Sequence, residues 1–186
     1  MAGADLRIQY NEKMVGNGSP SLADTLNRFV NAYHLQDGIN VIPYGESIAG
    51  AFISIAGAQG IWRDLTSTDL ILPLAGIYKV TAYTTSEFIK SNIGSKITIK
   101  GRIYNVTQTS AIINSEFISV YCNNSTTNYD AFKSTGSITS FVTTIADAEV
   151  VRIQVMKLIE VGGILGDPNI TSDTNGATKL IYERIG

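Results

Sequence analysis

From about Ala49 onward, large apolar and polar residues alternate at a period of two, the spacing of strands with one buried face. Asp69 to Tyr83 shows the pattern most clearly. Leu70-Ile71-Leu72 forms a short apolar run, and Pro73-Leu74-Ala75-Gly76 supplies a corner. The next strand puts Tyr78, Val80 and Ala82 on one face and Lys79, Thr81 and Tyr83 on the other. The idiom repeats along the chain. Phe52, Ile53 and Ile55 form an early run, and Trp62 follows a glycine-bounded turn. Ile97, Ile99 and Ile103 alternate with Thr98, Lys100 and Arg102. Ile112 and Ile113 lead into a strand with Ile118, Val120 and Cys122 opposite Phe117, Ser119 and Tyr121. Ile138 and Val142 alternate with Thr139, Phe141 and Thr143. Val151, Ile153 and Val155 alternate with Arg152, Gln154 and Met156, and Leu180 and Tyr182 oppose Ile181 and Ile185. Turn residues punctuate these segments at Asn92-Ile93-Gly94, Asn123-Asn124-Ser125, Ala146-Asp147-Ala148 and Asp173-Thr174-Asn175-Gly176. About eight strands with no helical period between them predict an antiparallel sandwich or jelly roll over a parallel sheet.

The first 48 residues read differently. Leu6, Ile8 and Tyr10 alternate briefly, as in an extended arm, until Gly16-Asn17-Gly18 breaks the pattern. Ser19-Pro20 is a helix start, with a hydroxyl cap and proline at the first helical position. Leu22, Leu26, Phe29, Val30 and Tyr33 then recur at helical spacing, Asp24 complements the helix N-terminus, and Asp37-Gly38 supplies a stop. The spacing predicts one short amphipathic helix over 20–35, whose stripe must be buried on its own sheet domain or in an oligomer; the oligomer is the preferred reading. Residues 39–47 read as a connector with a turn at Pro43-Tyr44-Gly45. The predicted organisation is an arm and helix at 1–48, which anchors the chain or interlocks subunits, and a β domain at 49–186.

Composition narrows the function. At 186 residues, 44% hydrophobic and 16% charged, the chain holds one well-buried domain plus an appendage. A formal net charge of -2 with scattered basic residues offers no footprint for nucleic acid or an anionic membrane. Cys122 has no second cysteine to pair with, no apolar run is long enough for membrane insertion, and Met1 to Arg7 does not read as a signal peptide. A soluble product made in a cytoplasm is expected.

Catalysis finds little support. His34, the only histidine, falls at the end of the predicted helix, where the dipole favours it. No nucleophile motif occurs, and one His with one Cys cannot complete a zinc site within a subunit. The carboxylates Asp64, Asp69, Glu87, Glu116 and Glu149 are spread over several strands, and no pair stands out as a glycosidase pair. Asp167 to Gly176 is faintly like a calcium loop but lacks the bidentate glutamate, and reads as an Asx-rich turn. No enzyme activity, cofactor or metal is expected.

Two stretches resemble a known family. Met14-Val15-Gly16-Asn17-Gly18-Ser19-Pro20-Ser21-Leu22-Ala23-Asp24-Thr25-Leu26-Asn27-Arg28, followed by His34-Leu35-Gln36-Asp37-Gly38, resembles a segment of tailed-bacteriophage fibre and virion-surface proteins. Leu72 to Tyr78, Ser137-Ile138 and the closing Ser172 to Gly186 are similar to the C1q/TNF-like jelly-roll domains found at the end of many such proteins. The resemblance implies a homotrimer on the virion, assembled in the bacterial host cytoplasm and bound to major capsid or tail proteins. With no long shaft between the anchor-like segment and the β domain, it implies a capsid decoration (cement) protein or a short head fibre. Leu22, Leu26, Phe29, Val30 and Tyr33 are then the expected oligomer or anchor stripe. The alternative is a receptor-binding tail-fibre tip that recognises host surface polysaccharide, with Tyr83, Tyr104, Tyr121 and Tyr129 as candidate glycan-stacking residues.

Overall fold

The computed structural model describes residues 44–50, 52–123, 129–173 and 177–185. The chain divides into two units, Met1–Ile42 and Pro43–Gly186. The predicted arm, the helix over 20–35, its apolar stripe and His34 all lie outside the described residues. Eleven strands make up the described part of the second unit: β1 (Tyr44–Ile48), β2 (Ile53–Ser54), β3 (Arg63–Leu72), β4 (Gly76–Ile89), β5 (Lys96–Asn105), β6 (Ser110–Ala111), β7 (Phe117–Asn123), β8 (Ala131–Thr144), β9 (Glu149–Val161), β10 (Asn169–Thr171) and β11 (Lys179–Arg184).

All pairings are antiparallel, and they build two sheets. In the first, β4 pairs with β8 along its full length, from Gly76↔Thr144 to Ile89↔Ala131. Its other edge pairs with β11 over Tyr78–Tyr83 and with β10 over Thr85–Glu87, and β1 and β2 lie beyond these. The second sheet runs β3-β9-β5, with β7 and β6 side by side along the far edge of β5. The described residues are thus mostly β, with two antiparallel sheets packed as a sandwich.

The period of two explains the packing. Tyr78, Val80, Ala82, Val142, Ile170, Leu180 and Tyr182 from the first sheet meet Leu72, Ile97, Ile99, Ile103, Val120, Val151, Ile153 and Val155 from the second. At 25 cal/mol per Å2, as a rule of thumb, each such side chain contributes about 2 kcal/mol of burial. Tyr78 also closes the Pro73–Gly76 corner: its hydroxyl donates to Leu74 O at 2.8 Å and accepts from Leu74 N at 3.2 Å. Its ring meets Tyr182 edge-on at 5.4 Å. At Gly136, β8 lies close against β7 of the other sheet, and a Cβ there would collide with the backbone of Ile118 and Ser119.

Two expectations need correction. Tyr44-Gly45 is not a turn: Tyr44–Ile48 forms β1, paired with β11 from Tyr44↔Glu183 to Ile48↔Lys179. The alternation of Tyr44, Glu46 and Ile48 already carries the strand period, and Gly45 is the residue that leaves room for the ring of Tyr182. In β7, Phe117 is buried and Ile118 exposed, the reverse of the predicted faces. The pairing passes from Ile99↔Val120 to Lys100↔Ile118, so Ser119 is an extra residue in a bulge, and a bulge exchanges the faces on either side of it. Phe117 gains its place because Gly101 across the strand leaves space for its ring.

Candidate functional site

The outward face of the first sheet carries the most unusual surface. Pairing registers place its outward residues in rows: Tyr44, Glu183, Lys79 and Phe141; then Glu46, Ile181, Thr81 and Thr139; then Ile48, Lys179, Tyr83 and Ser137. Ile77 and Ile185 lie at the near end, where Ile185 N donates to Ile77 O. Tyr44, Ile48, Ile77, Phe141 and Ile185 are exposed, Phe141 to 67%. A shallow cavity of about 380 Å3 opens among Tyr44, Lys79, Thr81, Tyr83, Ile181 and Glu183.

Charge on this face is internally neutralised. Lys179 Nζ donates to Glu46 Oε1 at 2.7 Å, and Lys79 lies 3.6 Å from Glu183. The hydrogen bond from Lys179 holds the Glu46 carboxyl below its ordinary value and, reciprocally, raises that of Lys179. Lys179 also lies 5.8 Å from the ring centroid of Tyr83. Ion pairing lowers, without removing, the cost of taking these charges out of water, and exposed apolar side chains stand beside them.

The apolar character continues around the β8 edge. Ser140 Oγ donates to Asn114 O at 3.4 Å, which brings the β6–β7 loop against β8. That loop exposes Ile113 to 84%, and Ile145 beyond the end of β8 is 81% exposed.

The outward face of the second sheet combines exposed Ile71, Ile118 and Tyr121 with a polar network. Arg102 lies 4.2 Å from the ring centroid of Trp62 and donates to Gln154 Oε1 at 2.8 Å. Gln154 donates to Asp64 Oδ1 at 2.6 Å, and Arg152 reaches Asp64 at 2.9 Å and Asp69 at 3.0 Å. Burial pulls the pKa of Arg102 down, against the opposing pull of Glu116, Tyr104 and Asp64.

The carboxylates singled out in the sequence are each engaged. Asp64 and Asp69 hold Arg152, Glu116 is 4.0 Å from Lys100, and Glu87 is 3.8 Å from Lys133. Glu149 is fully buried and accepts four hydrogen bonds, from Ile145 N (2.7 Å), Ala146 N (3.1 Å), Asn105 Nδ2 (2.7 Å) and Gln108 Nε2 (2.7 Å). Its role is to tie the β5–β6 and β8–β9 loops to one end of the sandwich. Cys122 is buried, with Ser95 O 3.6 Å from its sulfur. Among the described residues no three His, Cys, Asp or Glu side chains gather as a metal-binding group.

The four candidate tyrosines do not converge. Tyr83 lies in the cavity of the first sheet, and Tyr104 and Tyr121 lie on β5 and β7 of the second. Tyr129 is exposed just before β8, in a left-handed backbone conformation (φ 57°). Sequence reasoning passed over Phe141, Ile113 and Ile145, although their place at outward or turn positions was available from the same period of two. No protein-family model matches the chain, and no curated protein matches it.

Proposed function

We propose that the chain is a non-enzymatic structural protein on the exterior of a tailed-phage particle, a homotrimeric capsid decoration (cement) protein or short head fibre. The observation that carries this reading is the apolar, ion-paired outward face of the first sheet together with the apolar β8 edge beside it. A closed ring of identical subunits needs two different patches, one meeting the other across each boundary. Here the face with its shallow cavity receives, and the edge with Phe141, Ile113 and Ile145 inserts. Modest contacts repeated in each subunit then sum to a firm grip on a shell. The strand orders β1-β11-β4-β8 and β3-β9-β5-β7 support a jelly roll as the finer description of the sandwich. Location on the virion rests on the resemblance of residues 14–38 and 172–186 to phage surface proteins.

Light scattering of the purified chain should give about three times its 20.0 kDa mass. Phe141→Asp should reduce that mass to one chain while the β signal in circular dichroism stays, and Leu26→Asp tests the helical stripe in the same way. A monomeric parent protein refutes the trimer. Quantitative gel densitometry of purified particles tests the location: a level comparable with the major capsid protein means decoration, a few copies mean a fibre, and absence refutes the virion reading.

A further inference from the structure

The edge of a sheet presents a row of backbone N–H and C=O groups, and proteins blunt such edges with short strands, bulges, prolines or charges. Most edges of this sandwich are blunted. β1 has five residues, and β2 and β6 have two each. The pairings of β3 and β7 are broken by shifts of register. β8 is the exception. It pairs with β4 over fourteen residues with no shift, and among the described strands it pairs with β4 alone. Ala131–Thr144 holds no proline and one charge, Lys133.

The ladder shows which groups face the open edge. Lys90 N donates to Asp130 O at 3.0 Å, in register with the β4–β8 pairing. Even-numbered residues of β8 therefore exchange bonds with β4, and odd-numbered ones turn their N–H and C=O the other way. Gln108 Nε2, 3.4 Å from Thr143 O, approaches from that other side.

The sandwich is also open beside the first part of β8. The inward residues of β4 there, Ala82, Thr84, Ser86 and Phe88, are all buried. Their partners Ile138, Gly136 and Phe132 are only half-buried, and Ser134 is exposed. Further along, Ser140, Val142 and Thr144 are buried again. One more strand beside Ala131–Thr139, apolar on its inward side, would cover this stretch and take up its backbone groups.

The sequence holds a segment of that pattern: Leu6, Ile8 and Tyr10 recur at a period of two. Residues 11–43 join it to Tyr44. Even with 20–35 helical, they span about 80 Å, more than the length of β4 at about 48 Å. Tyr44 on β1 lies at the opposite side of the first sheet from β8. In the ring proposed above, however, the face that carries Tyr44 in one subunit meets the β8 edge of the next.

We propose that residues 5–10 of one copy add as a strand to the free edge of β8 in a second copy. They lie along Ala131–Thr139, with Leu6, Ile8 and Tyr10 turned inward against Phe132 and Ile138. Main-chain bonds supply the grip and the alternate apolar side chains the selectivity. The inference rests on the oligomer reading and adds to it an exchange of strands between subunits.

Residue-resolved amide hydrogen exchange of the full chain, followed by NMR, is the test. The N–H groups of Lys133, Thr135 and Ser137 should exchange at least about 100-fold more slowly than unstructured amides. Ile8→Pro removes a donor from the arm and should release all three, with Ser134 and Gly136 still protected by β4; Ile8→Val should leave them slow. Isotope-labelled Ile8→Pro chains co-folded with excess unlabelled parent should regain slow exchange, because the strand then comes from the other copy. Fast exchange of the three amides in the parent, slow exchange that persists in Ile8→Pro, or no recovery in the mixture would overturn the proposal. Light scattering of the same samples separates the two readings. A trimeric mass with fast-exchanging amides removes the strand exchange and leaves the ring, whereas a monomeric parent removes both.

Discussion

Replacing Glu149 with glutamine tests how far one buried carboxylate holds two loops together. The side chain keeps its shape, but one of the two oxygens becomes an amide that donates. If the remaining oxygen stays on the backbone amides of Ile145 and Ala146, the new NH2 faces the donors of Asn105 and Gln108. Hydrogen bonds to a charged acceptor contribute about 1.5–3 kcal/mol each, so losing two would cost about 3–6 kcal/mol. Gln108 can turn its amide over, because its second bond, to Thr143 O, is long at 3.4 Å. Asn105 has less freedom, since its Oδ1 accepts from Gln108 N at 2.9 Å. The expected loss is therefore near the lower figure, about 3 kcal/mol at pH 7.

The pH dependence supplies the stricter check. Burial pushes the Glu149 carboxyl up, but the hydrogen bonds from Asn105, Ile145, Ala146 and Gln108 outweigh it and hold the group below its ordinary value of 4.5. A depressed folded-state pKa means the stabilisation is complete above the unfolded value and fades as pH falls through the folded one. The gap between parent and Glu149→Gln should thus be widest at neutral pH and narrow below pH 4.5. Equilibrium urea unfolding followed by Trp62 fluorescence, at fixed protein concentration, measures it. A gap under about 1 kcal/mol at pH 7, or one that does not narrow in acid, refutes the reasoning.

Three further outcomes follow from single contacts. Gly136→Ala should destabilise by about 1–3 kcal/mol, because the new methyl meets the backbone of β7 and no side chain can swing away; urea midpoints report it. Tyr78→Phe should cost about 1 kcal/mol through the lost bonds to Leu74 and speed hydrogen exchange in the Pro73–Gly76 corner. Lys179→Met should change chain stability by under about 1 kcal/mol, since its pair with Glu46 is part-exposed. If the first-sheet face is a subunit boundary, the same substitution should weaken assembly more than folding, as read by mass against concentration.

The sandwich was legible because its cause is local. Alternation at Tyr78–Val80–Ala82, Ile97–Ile99–Ile103 and Val151–Ile153–Val155 follows from which residues must leave water, and it is written directly in the sequence. Features set by distant partners were not legible. The bulge at Ser119 depends on β5 pairing across the strand, and β1 depends on β11, which lies more than a hundred residues later. The candidate surfaces were partly readable. Tyr83 was picked out and does line a cavity, but its neighbours Tyr44 and Ile181 come from other strands. The open edge of β8 was invisible in the sequence, because Phe132 and Ile138 alternate like core residues and only the fold leaves them half-buried.

The pairing of β1 with β11 also sets how the β body bears load. Tyr44 lies across from Glu183, so the two ends of the body are side by side at one end of the sandwich. Tension between them pulls perpendicular to the strands and opens the β1–β11 bonds one at a time, starting at that pair. Tension between Tyr44 and the far ends of β4 and β8 runs along the strands and strains many bonds together. The body is therefore easy to unzip from its own ends and hard to shear lengthwise.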